Sequence, residues 1–234
     1  MQLDTVIYWY DWLFILKGAG ITLFLSLNAM GFGSMLGLII GVMRTSKLSI
    51  LNYFSWIYTS LIRGTPLLIQ LFLVYYGLPV FFGINISAYV TALVGLAVYS
   101  SAFLAEIVKS GLQAVDKGQK DAAKALGMTY LQEFRYVVLP QALKVILPPA
   151  FGFFIQLIKD SSLVAIIGFI ELTRSGRMVI ARTYKPFTIY FGIMFIYFII
   201  CYVLSIISRK YFETNRINKH TNLKTLKMTT NKVI

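Results

Sequence analysis

Five long apolar runs decide what this chain can fold into. Residues 12–43, 53–82, 86–108, 145–170 and 187–208 carry only Lys17, Arg63, Glu106, Lys159 and Asp160 as charges. A helix needs about 20 apolar residues to cross a bilayer, so five runs predict five spans. Composition agrees. The chain is 58% hydrophobic and 13% charged, with a mean hydropathy of +0.73, against about 45–50% and about 25% for a soluble domain. These values exclude a single soluble core, a disordered chain, a disulfide scaffold and a collagen-like repeat. The expected fold class is all-α, a membrane protein with about five transmembrane helices over about 12–43, 53–82, 86–108, 141–165 and 187–208. Residues 1–208 form the transmembrane domain, and 209–234 a basic, polar, mobile tail.

The 22 Lys and Arg against 9 Asp and Glu give +13. In a soluble protein that excess points to nucleic acid. Beside five spans it marks the cytoplasmic side, and no nucleic-acid partner is expected. With the N-terminus outside and the C-terminus cytoplasmic, segments 44–63, 109–144 and 209–232 lie inside and hold 16 of the 22 basic residues. Arg174, Arg177, Arg182 and Lys185 fall on the outer side, against the rule. Asp4 and Asp11, with no basic residue before the first apolar run, argue against a signal peptide. Cys201 is the only cysteine, which excludes an intrachain disulfide. His220 is the only histidine and lies in the tail, so neither a histidine-based catalytic site nor a metal site is expected.

Small residues and prolines punctuate the spans. Gly33, Gly37 and Gly41 share one helical face and predict close approach of another helix. Arg63-Gly64-Thr65-Pro66 divides the second run into an amphipathic or tilted entry at 53–62 and a main span at 66–80. Pro66 suits a first turn, and Gly77-Leu78-Pro79 is expected to end the span. Pro148-Pro149 predict a kink or break in the fourth span.

The segment 109–144 is mostly polar. Asp116 with Gln119 three positions on reads as a capping box. Residues 121–126 are good helix formers, and Gly127 supplies a stop. The expected helix is about ten residues, ~15 Å long. It is too polar to span and so lies at the membrane face. It is either a plain connection or a docking element whose small Ala122 and Ala123 fit a partner's groove. Pro140 suits the first turn of the next span.

The spacing Asp121-Ala122-Ala123, three residues, Gly127, nine residues, Val137, one residue, Leu139-Pro140 resembles the EAA signature of ATP-binding-cassette importer permeases. Asp121 and Val137 stand where that signature has Glu and Ile. RGTPLLIQLFLVYYGLP at 63–79, AEIVKSGLQAVDKGQKDAAKALGM at 105–128, LPQALKVILPP at 139–149 and LIKDSSLVAIIGFIEL at 157–172 are similar to the polar amino acid permeases of that class. The resemblance covers about residues 15–210. It implies a type I importer (MetI-like) permease fold and a multi-pass protein of the bacterial cell membrane that moves a polar amino acid by alternating access. It implies an ABC ATPase subunit, an extracytoplasmic amino-acid-binding protein and a second permease subunit, identical or related, as partners. The chain has no G-x-x-x-x-G-K-[ST] phosphate loop, so it is expected to be no enzyme and to bind no cofactor. ATP and Mg belong to the partner ATPase. Residues 117–128 become the ATPase-coupling element, with Asp121, Ala122, Ala123, Gly127, Leu139 and Pro140 as its signature residues.

Substrate residues are sought among polar groups inside spans, since an intramembrane acid is a functional candidate by default. Glu106 either meets the substrate ammonium or pairs with Lys109 at i,i+3. Asp160, Gln156 and Gln70 either line the pathway or make interhelical hydrogen bonds. Family members often carry Asn three residues after the proline pair, where this chain has Gly152. Arg63-Gly64-Thr65-Pro66 reads as structural, and the basic tail as a contact for anionic membrane lipid. A secondary transporter or channel without an ATPase is the alternative. It accounts for the spans and Glu106 but not for a capped helix in the polar loop.

Overall fold

The computed structural model describes the backbone of residues 6–230 and the side chains of residues 6–212. Among these residues there are helices and no strands. Helix α1 (Trp9–Met43) is a single helix of 35 residues, about 52 Å long at 1.5 Å per residue. Helices α2 (Ser49–Gly64) and α3 (Leu67–Phe82) meet at a bend of 102°. Then come α4 (Ala88–Gln113) and α5 (Lys117–Ala125), α6 (Tyr130–Ile167), α7 (Leu172–Thr183) and α8 (Pro186–Thr230). Helices α1, α4, α6 and the Pro186–Phe212 part of α8 are each long and apolar enough to cross a membrane. The bent pair α2–α3 makes up to five. Most basic side chains of the tail, and with them its expected lipid contact, lie outside the described residues.

Close packing of α1 on α4 follows from the absence of side-chain bulk. A Cβ on Gly37 would lie 2.8 Å from Leu104 Cβ, one on Gly41 2.6 Å from Val108 Cβ, and one on Gly33 2.9 Å from the Ala97 carbonyl. Ala97, Ser100, Ser101 and Ala105 are the buried residues of α4 opposite them, and Ser100 Oγ donates to the Ala29 carbonyl across the helix pair at 3.2 Å. Leu25, Leu71, Leu96, Leu157 and Val164 then join α1, α3, α4 and α6 in the central core. A second cluster ties α1 to α7 and α8 through Ile15, Leu172, Val179 and Ile189. The outer faces carry exposed Phe, Leu, Ile and Met, as a lipid-facing surface does.

Three breaks differ from the sequence expectation. Pro66 is the N-cap of α3, with Leu67 the first helical residue. Helix α3 does not end at Pro79 but runs on to Phe82 and stops at Gly83, φ +67°. A π turn at Leu73–Gly77 widens the spacing where Pro79 cannot donate to the carbonyl four residues back. The same device precedes Pro140, where a π turn at Glu133–Val138 leads into the α-helical part of α6, Leu139–Asp160. Pro148 and Pro149 do not break that helix. Two backbone hydrogen bonds are lost there, and burial of Ala142 and Ile146 before the pair and of Phe154, Leu157 and Ile158 after it holds the helix together.

Candidate functional site

The polar loop is built by three caps in succession. Asp116 Oδ1 accepts the Gly118 amide at 2.7 Å and opens α5. Gln119 does not close a capping box with it, since Asp116 takes the nearer amide. At the other end the Gly127 amide bonds the Lys124 carbonyl at 2.9 Å and the Met128 amide the Ala123 carbonyl at 3.2 Å. This is a Schellman closure, which needs a left-handed residue, and Gly127 has φ +75°. Thr129 and Gln132 then form the reciprocal capping box that starts α6.

The faces of α5 are divided. Asp121 and Ala122 are exposed, while Ala123 is buried to 3% exposure against the chain itself. Ala123 therefore belongs to the seat of the helix and not to a flat docking face, because at this register it turns inward with Lys120. Gly127 and Pro140 are exposed and Leu139 half-buried. Beside Asp121 and Ala122 stand Leu126, Tyr130 and Leu131, each more than 70% exposed. Sequence reasoning passed over these three. The signal was apolar residues in a segment otherwise too polar to enter a membrane. The Asp121–Lys124 pair at 3.9 Å lies on the surface and contributes little.

Glu106 is held by the chain's own cations. Its Oε1 accepts from Arg44 Nη2 at 2.7 Å and Nε at 3.1 Å, and its Oε2 lies 3.4 Å from Lys109 Nζ. Arg44 also donates to Asn52 at 3.1 Å, so the cluster ties together the end of α1, α2 and α4. Gln70 Nε2 donates to the Ile62 carbonyl at 2.7 Å and to Thr65 Oγ1 at 2.9 Å, which pins the bend between α2 and α3. Neither residue stands free in a pathway.

Asp160 and Gln156 come together at the end of the α-helical part of α6, Leu139–Asp160. Gln156 Nε2 donates to Asp160 Oδ1 at 2.8 Å. Asp160 Oδ2 is buried with no hydrogen-bond partner among the described residues. A buried acceptor without a donor costs free energy, and such a group is available to a ligand's cation. Tyr99 lies within electrostatic reach of Asp160. Its ring packs 4.7 Å from Phe103 and 6.2 Å from Phe153, and the Arg63 guanidinium sits 5.2 Å over Phe103. Tyr99 and Arg63 are additions that sequence periodicity alone cannot supply, because α2, α4 and α6 meet only in the fold.

At the far end of the bundle Glu171, fully buried, caps α7. It accepts the Thr173 and Arg174 amides at 2.9 and 2.8 Å and the Tyr197 hydroxyl at 3.1 Å. Burial pushes its carboxyl above the usual value of 4.5, and these hydrogen bonds offset part of the rise. The folded chain thus holds this proton to higher pH than the unfolded chain. Its contribution to stability is full below about 4.5 and is lost as pH rises through the folded value. The wild-type minus Glu171→Gln difference in thermal stability is therefore expected to fall as pH rises from 4 upward, and a difference that climbs over that window refutes the assignment. Arg182 of α7 pairs with Asp11 at the start of α1 and lies over the Tyr8 and Tyr10 rings.

Residues 33–215 match the model of the family described as binding-protein-dependent transport system inner membrane component. A probable amino-acid ABC transporter permease of Bacillus subtilis strain 168, YckA, is 38% identical over 193 residues, 82% of this chain and 85% of that one. The glutamine transport system permease GlnP of Escherichia coli K12 is 36% identical over 211 residues, 90% and 96% of the two chains. The crystal structure of an amino acid ABC transporter with histidines superposes at a TM-score of 0.83 with 38% identity, over 89% of this chain and 99% of that one. An inward-facing form of the MetNI methionine ABC transporter superposes at 0.75 over the same shares with 22% identity, which speaks for the fold alone. Matched along most of its length in both sequence and fold, the chain belongs to the inner-membrane permease family of binding-protein-dependent transport systems.

Proposed function

We propose that this chain imports a polar amino acid, with α5 as the element that takes up motion from a partner ATPase and the Asp160 region as the part of the pathway that meets substrate. The observation that carries the reading is α5, capped at both ends. It is seated on the chain through Ala123 and presents Asp121, Ala122 and an apolar collar of Leu126, Tyr130 and Leu131 outward. A rigid peg of this kind transmits displacement from a partner to α4 and α6, between which it is strung. ATP and Mg reside on that partner, an extracytoplasmic binding protein delivers substrate, and a second permease subunit completes the pathway.

The N-terminus lies outside and the coupling end inside. Support comes from the two ends of α1: Asp11 pairs with α7, whereas Arg44 borders the cavity beside α5. Asp160 meets the substrate ammonium, because it alone among the intramembrane candidates keeps an unpaired carboxylate oxygen. Glu106 is a brace that locks α1 to α4 near the coupling end.

Purification from native membranes in mild detergent, with the co-purifying chains identified by mass spectrometry, tests this. A stoichiometric ATPase subunit is expected. A chain that purifies alone and transports after reconstitution without ATP is a secondary carrier, and overturns the proposal.

A further inference from the structure

Between α5 and the ends of α1 and α4 lies a half-open cavity of about 690 Å³. Four cationic side chains line it, Arg44, Lys47, Lys120 and Lys124, against the single carboxylate of Glu133. Arg44 is satisfied by Glu106 and Asn52, but the lysines are not. Lys47 has no ion pair among the described residues. Among the described residues Lys120 Nζ reaches the Leu112 carbonyl, at 3.5 Å, and no carboxylate. Lys124 is 3.9 Å from an exposed Asp121. Three lysines from two separate elements, the α1–α2 connection and α5, thus border the cavity against the one carboxylate of Glu133. This excess of positive charge favours the uptake of an anion.

The rest of the lining says which kind. Val42, Leu112, Phe134 and Val138 form an apolar wall, and they lie where α1 and α4 end and α6 begins. A ligand here meets cations at one end and hydrocarbon at the other. We infer that this cavity binds a phosphate group, that of an anionic phospholipid whose acyl chains run along the apolar wall, and that the bound headgroup links Lys47 to Lys120 and Lys124. Lys124 and Tyr130 border the cavity, while Asp121, Ala122, Leu126 and Leu131 stay outside it, open for docking. The headgroup steadies the seat of α5 and reaches its outer face only at Lys124 and Tyr130.

The test titrates the complex purified from native membranes with dioctanoyl phosphatidylglycerol, and separately with dioctanoyl phosphatidylcholine, with binding counted by native mass spectrometry. One saturable phosphatidylglycerol per permease chain is expected, and no saturable phosphatidylcholine. Lys47→Ala with Lys120→Ala weakens binding about thirty-fold, as loss of two interfacial cations does. Lys47→Arg with Lys120→Arg keeps it, which also reports that the site tolerates change. Removing two exposed cations at the other end, Arg177→Ala with Lys185→Ala, leaves binding as in the wild type. Competition by millimolar inorganic phosphate makes free phosphate the occupant of the same site, and its failure to compete makes it the lipid. Unchanged affinity in the Lys47/Lys120 variant, or an equal loss in the Arg177/Lys185 variant, overturns the inference. Because the readout is binding, failure here leaves the transport reading intact, and failure of transport leaves this site standing.

Discussion

Gly127→Trp is expected to leave the chain in the membrane and uncouple it. Gly127 closes α5 in a left-handed conformation at φ +75°, which costs any residue with a Cβ about 1–2 kcal/mol. Space is not the obstacle, because a Cβ there meets nothing within 4 Å. The damage lies in the strained closure and in an indole placed beside Leu126 and Tyr130 on the outward face. Uptake and substrate-stimulated ATP hydrolysis by the reconstituted complex should each fall by on the order of ten-fold or more, since a misaligned element loses its effect steeply, while membrane yield stays near that of the wild type. Gly127→Asn, which tolerates the left-handed region, should keep most of both. Full uptake by the Trp variant removes α5 from coupling.

Asp160→Asn is expected to raise the KM for uptake about ten- to hundred-fold, the worth of one charge-assisted hydrogen bond at ~1.5–3 kcal/mol. ATPase association should not change, because Asp160 lies in the membrane part of α6 away from α5. Glu106→Gln makes the contrast. It weakens the Arg44 brace and so acts on stability, leaving KM close to that of the wild type. An unchanged KM in the Asp160 variant excludes it from the pathway.

As a permease of this family the chain is a transport subunit, and ATP is hydrolysed on a separate subunit. In the function proposed above, the polar loop transmits and the intramembrane cluster recognises.

Much of the loop was legible in advance for a local reason. Asp116, Gly127 and the helix formers between them act within one or two turns, so their order in the chain is nearly their order in space. The same holds for the apolar runs that became α1, α4, α6 and α8, and for the glycine face of α1, whose period alone announced a close neighbour. Prolines were harder. Pro79, Pro148 and Pro149 are strong local stop signals, but a π turn before Pro79 and flanking burial around Pro148 and Pro149 carried helices past or through them. Tertiary packing outweighs a local penalty of a few kcal/mol.

Side-chain partners across helices were not legible at all. Glu106 lies 62 residues from Arg44 in the chain, Glu171 is 149 from Thr22, and Asp160 is far from Tyr99. A lone acid in an apolar run reads as a ligand site until its counter-ion is placed, and only the fold placed Arg44 on Glu106 while leaving Asp160 with an unpaired oxygen. Helix existence, the capped ends of α5 and family were written in one dimension, because propensity, capping and spacing act locally. Which acid is a brace and which face of α5 is free depended on long-range packing, where the burial of one residue is set by another that the chain order does not bring near.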